Sequence, residues 1–163
     1  MTARRSRSAP RSPRRRAPPS AGEVVLAVGV DLVESDRVRR AIEAWGDRFV
    51  GRVFRSDERA YCDRQAAPWR HYAGRFAVKE AVAKAFGTGI GDSLGWKDVE
   101  VARDAKTGAP AVTLHGRGWR LAAERGVTRV LVSLAHGRDL AIAQATLVGR
   151  EVGNSKLQGS GKS

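Results

Sequence analysis

Apolar and polar residues follow two different periods along this chain, and the longest helical pattern lies near its middle. Residues 75–86 contain no proline or glycine, and Ala, Val, Lys and Glu fill the centre of the segment, as in a helix. Small residues recur there at every fourth position: Ala73, Ala77, Ala81 and Ala85. Such a stripe lets a helix lie close on a sheet. Pro68 or Trp69 suits the first turn and Gly87 suits the end, so we predict a helix over residues 68–86 and a glycine turn over residues 87–91.

The other side of this predicted helix is charged. Glu80 and Lys84 lie one turn apart on one face, and Arg75 and Lys79 line the adjacent stripe. These residues alone leave two interpretations open. One is a solvated face with an ion pair, which stabilises a helix by only about 0.3–0.5 kcal/mol. The other is a functional site.

Residues 23–33 are nearly all apolar or β-branched and predict a buried strand. Asp31 interrupts this pattern, and burial of a carboxylate is costly unless something pairs with it. Asp31 is therefore either a loop cap at the end of the strand or the partner of a metal ion or a cation.

The remaining patterns predict shorter helices and antiparallel strands. Their predicted order is a helix from residue 35 or 36, a helix over residues 56–64, the long helix, a hairpin over residues 99–115, a helix over residues 116–125, and strands over residues 127–136 and 140–148. This order predicts an α+β domain in which the long helix packs across an antiparallel β-sheet.

The positive charge of the chain is unevenly distributed. Its 163 residues carry a formal net charge of +13, which favours anionic partners. Residues 1–22 contain seven arginines and no acid, and they supply about half of this excess. We predict disordered tails over residues 1–22 and 149–163 and one domain over residues 23–148. The first tail is interpreted as a solvated extension, with a nucleic-acid arm or an organelle transit peptide as alternatives.

Composition argues against several classes of protein. Cys62 is the single cysteine, which rules out an internal disulfide, and no paired Cys/His spacing suggests zinc. No apolar run reaches the ~18–20 residues of a membrane span. The N-terminus also lacks the apolar segment of a secretory signal. We therefore expect a cytoplasmic protein with no membrane partner.

Four features point to one kind of chemistry: Asp31 in a buried strand, Glu80 with Lys84 on a helix, the glycine turn, and His136 at a strand end. With their surroundings they resemble the bacterial holo-acyl-carrier-protein synthases, the small stand-alone phosphopantetheinyl transferases. The matching segments are residues 28–34, 52–54 with Glu58, 73–91, Trp96, 99–101 and 132–136. The likeness covers about residues 24–148, and segment 73–91 is its most specific part.

The resemblance implies a reaction. Family members move 4′-phosphopantetheine from coenzyme A to a serine of an acyl carrier protein, release adenosine 3′,5′-bisphosphate and use Mg²⁺. By resemblance, Asp31 and Glu80 would bind Mg²⁺, and Lys84 would contact the pyrophosphate and assist the leaving group. Glu80 would be the base for the carrier serine, directly or through a metal-bound water. Coenzyme A would be bound by six residues: Arg75, Lys84, Gly87, Thr88, Gly89 and His136.

The resemblance also implies a partner surface. Carrier proteins are acidic, and the family docks them through arginines of its first helix, at positions near Arg37, Arg40 and Arg48. Opposite charges on the two partners would speed their encounter and fix their register. The chain departs from the family between Arg64 and Arg70, where it lacks a lysine–arginine pair that some members use near the 3′-phosphate. Either of these two arginines would be the substitute.

The implied architecture is the 4′-phosphopantetheinyl transferase fold in a homotrimer. Each active site would be shared, with Asp31 and His136 of one subunit beside Glu80 and Lys84 of the next. Two other functions remain open: a nucleic-acid-associated protein that binds phosphates through its basic tail, and an inactive relative that binds carrier proteins. Whether the carrier serves fatty-acid or polyketide synthesis is left open as well.

Overall fold

A computed structural model describes residues 22–150 as one α+β unit. In chain order its elements are β1 (Val24–Glu34), α1 (Ser35–Trp45), α2 (Asp47–Val53), α3 (Ser56–Asp63), α4 (Pro68–Phe86), a 3₁₀ turn (Trp96–Asp98), β2 (Val99–Arg103), β3 (Pro110–Leu114), α5 (Gly116–Glu124), β4 (Val127–His136) and β5 (Leu140–Gly149). The predicted α+β class and the predicted bounds of the long helix are confirmed. Within the described range, no helix combines the length and the apolarity that crossing a bilayer requires.

The strands form two antiparallel sheets, where the sequence suggested one. The larger sheet has the order β1-β5-β4, and the smaller one pairs β2 with β3. The short hairpin strands pair only with each other among the described strands. The apolar hairpin residues Val99 and Val101 are buried in the same hydrophobic core as residues of α4 and of the larger sheet. The hairpin therefore packs on the helices as a separate sheet and does not extend the larger one.

The long helix α4 lies across the larger sheet through its alanine stripe, as predicted. Ala73, Ala77 and Ala81 are fully buried. On the strand side, Gly29 of β1 faces the helix so closely that a Cβ there would lie 2.1 Å from the carbonyl oxygen of Ala81. Two main chains thus come into direct contact, and this contact fixes the height of α4 above β1.

The sequence patterns did not predict two short elements, α2 and the 3₁₀ turn. Gly46, with a φ of 49°, separates α1 from α2, so the residues that follow α1 start a new helix. The last strand runs to Gly149, one residue beyond the predicted domain. The two predicted tails lie outside the described residues, apart from Gly22, Gly149 and Arg150.

Candidate active site

The charged residues of α4 point in different directions, and two of them are inside the protein. Arg75 is 5% exposed and Lys79 is fully buried. The interpretation of these two residues as part of a solvated face is therefore wrong. Lys79 Nζ donates to Glu58 Oε2 at 2.9 Å, in an ion pair that the sequence did not reveal.

Asp31 and Lys84 form the centre of the first cluster of predicted site residues. Asp31 lies on the face of β1 that meets α4, and Lys84 Nζ donates to its Oδ1 at 2.6 Å. The side chain of Asp31 is 13% exposed and that of Lys84 is 52% exposed. Because β1 continues to Glu34, Asp31 is not a loop cap. Its prediction as the partner of a cation is confirmed by Lys84.

Glu80 belongs to this cluster because the charges of Asp31 and Lys84 act on its carboxyl group. Partial burial raises the pKa of Glu80 above its usual value, and the negative charge of Asp31 raises it further. The positive charges of Lys84 and Arg37 act in the opposite direction. The hydrogen bond to Asp31 raises the pKa of Lys84, which therefore stays an ammonium. The cluster thus combines a firmly protonated lysine with a carboxylate that binds a proton more readily than an exposed one.

The donor set of this cluster suits one kind of metal ion and not another. Within residues 22–150, no group of three or more His, Cys, Asp or Glu side chains is arranged to hold a metal ion. Asp31 and Glu80 would supply two carboxylates. Mg²⁺ takes one or two protein carboxylates and fills its other positions with water and substrate phosphates. The pair therefore fits Mg²⁺ that binds with a phosphate-bearing substrate, and it does not fit a closed structural zinc site.

A second cluster surrounds a cavity of about 180 Å³ between α3, α4, the hairpin and β4. The Arg75 guanidinium lies 4.1 Å from the centre of the Tyr61 ring. Its Nε atom has no hydrogen-bond partner among the described groups. The rings of His71 and His136 meet edge to face, 5.1 Å apart. Arg103 donates to the Tyr61 hydroxyl at 2.8 Å.

One chain thus brings the predicted site residues together in two groups. Asp31, Glu80 and Lys84 form one, and Arg75 and His136 line the cavity. Arg75 and Glu80 are five positions apart on α4, which turns them by about 140° around the helix axis. Asp31 lies on β1 and His136 on β4, and these two strands flank β5 and are therefore about 10 Å apart. The implied arrangement placed Asp31 and His136 of one subunit beside Glu80 and Lys84 of the next, and it is wrong for Asp31, which bonds to Lys84 of its own chain.

The glycine turn after α4 is formed as expected. Gly87 has a φ of 68° and ends the helix in the left-handed conformation. The Thr88 amide donates to Ala83 O at 3.2 Å, and the Thr88 hydroxyl donates to Gly89 O at 2.9 Å. Gly87 and Gly89 are exposed, so bare backbone is accessible to a ligand at this point.

The three arginines predicted to contact a carrier protein are all exposed. Arg37 and Arg40 lie on α1, but Arg48 lies on α2, so the prediction that places all three on the first helix is wrong for Arg48. Arg37 also connects this surface to the first cluster, because its charge acts on Glu80.

Three residues of the second cluster were missed from the sequence. His71 lies one helical turn before Arg75, so the four-residue spacing on α4 was the signal for it. Tyr61 and Arg103 carry no comparable signal, because they come from α3 and the hairpin and meet Arg75 only after folding.

Comparison with known proteins relates this geometry to one family. Residues 27–145 match the model of the 4′-phosphopantetheinyl transferase superfamily. A holo-(acyl-carrier-protein) synthase from Chlamydia trachomatis is 44% identical over 121 residues, which cover 74% of this chain and 98% of the relative. The crystal structure of holo-(acyl-carrier-protein) synthase from Neisseria meningitidis superposes with a TM-score of 0.71 at 29% identity, covering 76% of this chain and 98% of that one. The Helicobacter pylori synthase in complex with coenzyme A gives a TM-score of 0.65 at 27% identity, with 74% and 98% covered.

Proposed function

Since the chain belongs to the 4′-phosphopantetheinyl transferase superfamily, among the holo-(acyl-carrier-protein) synthases, we propose that it transfers 4′-phosphopantetheine from coenzyme A to a serine of an apo acyl carrier protein. The products are the holo carrier protein and adenosine 3′,5′-bisphosphate. The observation that carries this proposal is the cluster on α4 and β1, in which Lys84 binds Asp31 at 2.6 Å beside the partly buried Glu80.

Each residue of the cluster has a chemical role in this proposal. Glu80 takes the proton of the carrier serine as the serine oxygen bonds to the phosphorus that carries pantetheine. The bond from that phosphorus to the bridging oxygen breaks, and the ammonium of Lys84 stabilises the leaving phosphate. Asp31 orients Lys84 through their hydrogen bond. Mg²⁺ held by Asp31 and Glu80 would neutralise charge on the diphosphate.

Coenzyme A is bound through both groups of residues in this proposal. Lys84 and the turn residues Gly87, Thr88 and Gly89 contact the diphosphate side of the molecule. Arg75 and His136 contact the opposite end, in the cavity. The exposed glycine backbone and the buried guanidinium with its unpaired Nε atom support these assignments.

A homotrimer with shared active sites is part of the same proposal, in a corrected form. Asp31, Glu80 and Lys84 come from one subunit, and Arg75 and His136 come from the next. The proposed trimer is supported by apolar residues on the face of the larger sheet that is turned away from α4. They are 44–56% exposed: Val28, Val30, Leu32, Leu140 and Ile142. Such a patch is typical of a protein interface.

Docking of an acidic carrier protein is assigned to the exposed arginines Arg37, Arg40 and Arg48. This surface adjoins Glu80 through Arg37, so a docked carrier would present its serine to the proposed base. The proposed catalytic domain spans residues 23–149 and acts in the cytoplasm.

The test is a mass measurement on apo acyl carrier proteins of fatty-acid and polyketide type. They are incubated with the protein, coenzyme A and Mg²⁺, and the expected gain is one phosphopantetheine group. EDTA should abolish the gain, and Glu80→Gln should slow it by about 10²–10⁴-fold. No gain on any of these carriers, with coenzyme A bound, would contradict transfer and favour the inactive carrier-protein binder.

A further inference from the structure

Helix α5 has no part in the proposed chemistry, yet two of its arginines bond to the main chain on either side of the glycine turn. Arg125, at the C-terminal end of α5, donates from its guanidinium to Phe86 O, in the residue before the turn. Arg117, in the first turn of α5, donates to Asp92 O at 2.7 Å, in the residue after the turn. One helix therefore holds residues 87–91 at both ends.

The Arg117 guanidinium fits closely into the loop that follows the turn. Its Nε atom donates to Asp98 Oδ2 at 3.0 Å, and its Nη1 atom lies 3.5 Å from Gly91 O. The same Asp98 oxygen accepts the Gly95 amide at 2.7 Å. A Cβ on Gly95 would lie only 2.3 Å from Nη2 of Arg117. The planar guanidinium thus joins a carboxylate to main-chain carbonyls, which its fixed set of donors allows.

The bond from Arg125 acts on the other end of the turn. The last carbonyl groups of an α-helix have no partner within the helix, and Phe86 is the last residue of α4. Arg125 supplies a donor for this carbonyl group. Since the side chain of Phe86 is buried in the core, the start of the turn is attached both to the core and to α5.

The turn itself contains little that would keep it in one conformation. Three of its five residues are glycines, and Gly87 and Gly89 have φ values of 68° and 62°. Glycine loses more conformational freedom on ordering than any other residue. A Cβ on either of these two glycines would meet no described atom within 4 Å. A ligand that needs one conformation of the turn therefore binds more tightly when the protein has ordered the turn beforehand.

Building on the proposed function, in which the turn contacts the diphosphate side of coenzyme A, we infer that Arg117 and Arg125 are positioning residues that hold the glycine turn in the conformation that receives this substrate. Both side chains act on the free protein and not on coenzyme A. Their loss leaves the bound complex unchanged and adds only the cost of ordering the turn. It therefore weakens binding of coenzyme A and spares the chemical step.

The test combines steady-state transfer to an acyl carrier protein with calorimetric binding of coenzyme A, both on the full chain. Arg117→Ala should raise KM and Kd for coenzyme A about tenfold, as expected when hydrogen bonds from a charged donor are lost. Arg125→Ala should act in the same direction. In both variants, kcat and the KM for the carrier protein should stay within about twofold of wild type.

Gly95→Ala separates the position of Arg117 from its charge. Gly95 has a φ of −89° and a ψ of 163°, which alanine adopts freely, so the added methyl group displaces the guanidinium and leaves every charge in place. This variant should raise the KM for coenzyme A as Arg117→Ala does, and the double variant should be no worse than either single one. Arg120→Ala is the matched control, since Arg120 is exposed on the same helix and, within residues 22–150, bonds to neither end of the turn. It should behave as wild type.

Amide hydrogen exchange of the free protein reports on the turn without any ligand. The Gly91 amide donates to Leu94 O at 2.9 Å. In Arg117→Ala this amide should exchange about tenfold faster than in wild type, while amides in the middle of α4 keep their rates. Faster exchange throughout α4 would instead show a general loss of stability and would count against a specific hold on the turn.

The outcomes distinguish this inference from the proposed function. An Arg117→Ala variant with wild-type KM and Kd for coenzyme A would overturn the inference while transfer by the wild-type protein proceeds. A defect in Arg117→Ala that Gly95→Ala does not share would also overturn it, because the charge and not the position of Arg117 would then matter. A wild-type protein that binds no coenzyme A would contradict the proposed function and, with it, the substrate assigned to the turn.

Discussion

At the scale of single residues, the buried pair of Glu58 and Lys79 stands out. Glu58 accepts hydrogen bonds from Lys79 at 2.9 Å, from the Arg55 amide at 2.8 Å and from the Val101 amide at 3.1 Å. Lys79 also donates to Trp96 O at 3.0 Å and to Val99 O. Burial lowers the pKa of Lys79, and the charge of Glu58 opposes this shift. The pair ties the hairpin to α3 and α4, and thereby positions one wall of the cavity beside Arg75.

Removal of one partner should be far more harmful than removal of both. Glu58→Gln leaves the Lys79 ammonium buried without its counter-charge, which should cost about 3–5 kcal/mol of folding free energy. The double variant Glu58→Gln/Lys79→Met should lose less than Glu58→Gln alone. Urea unfolding followed by circular dichroism measures both. Equal losses in the single and double variants would show that the pair is not electrostatically coupled.

Cys62 gives a second prediction at this scale. The side chain is completely buried, and burial raises the pKa of its thiol to about 12. Since the thiolate is the reactive form, Cys62 should not react with a thiol reagent such as DTNB at pH 8 in the folded protein. It should react fully in urea. Rapid reaction without denaturant, under conditions where circular dichroism shows a folded protein, would contradict the position of Cys62 in the core.

At the scale of elements, the periodic patterns of apolar and small residues predicted more of the fold than the positions of the charged residues did. The alanine stripe predicted how α4 lies on the sheet, and Pro68 and Gly87 predicted its ends, because these signals act within a few residues of sequence. The separation of the hairpin from the larger sheet has no local signal. It depends on where Val99, Val101 and the Glu58–Lys79 pair find their partners in the fold.

The same contrast, between local sequence signals and contacts made only in the fold, applies to the candidate site. Glu80 and Lys84 were associated correctly because one helical turn separates them. The bond between Asp31 and Lys84 joins residues 53 positions apart, and the sequence left it as one of two possibilities. Arg103 at the cavity was not predicted, because a hairpin brings it there.

The contact between β1 and α4 is the element-level feature most open to test. A Cβ at Gly29 would lie 2.1 Å from Ala81 O and 2.5 Å from Ala85 N, and both are backbone atoms. Gly29→Ala should therefore push α4 off the sheet and destabilise the fold by about 3 kcal/mol or more. Gly137→Ala is the control, since a Cβ there meets no atom within 4 Å. Thermal unfolding of the two variants provides the comparison, and equal melting temperatures would contradict the close contact.

At the scale of the whole molecule, the described residues of one chain place the proposed site in two separate groups. The cluster of Asp31, Glu80 and Lys84 lies on α4 and β1, and the cavity lined by Arg75 and His136 opens where α4 meets β4. Between them runs β5, and the outer face of this sheet exposes valine, leucine and isoleucine. A closed ring of subunits would cover this apolar face and bring the first group of one copy to the second group of the next, as the two halves of one site.

Mixed assemblies test whether the halves come from different chains. Glu80→Gln damages only the reacting cluster, and Arg75→Gln damages only the cavity, so either variant alone should be nearly inactive. Co-expressed in equal amounts, they should recover about one quarter of wild-type transfer, because random assortment in a ring gives that share of sites with both halves intact. A mixture of Glu80→Gln with Lys84→Met should stay inactive, since both changes damage the same half. If the first mixture is as inactive as its components while light scattering shows mixed trimers, each site is built within a single chain.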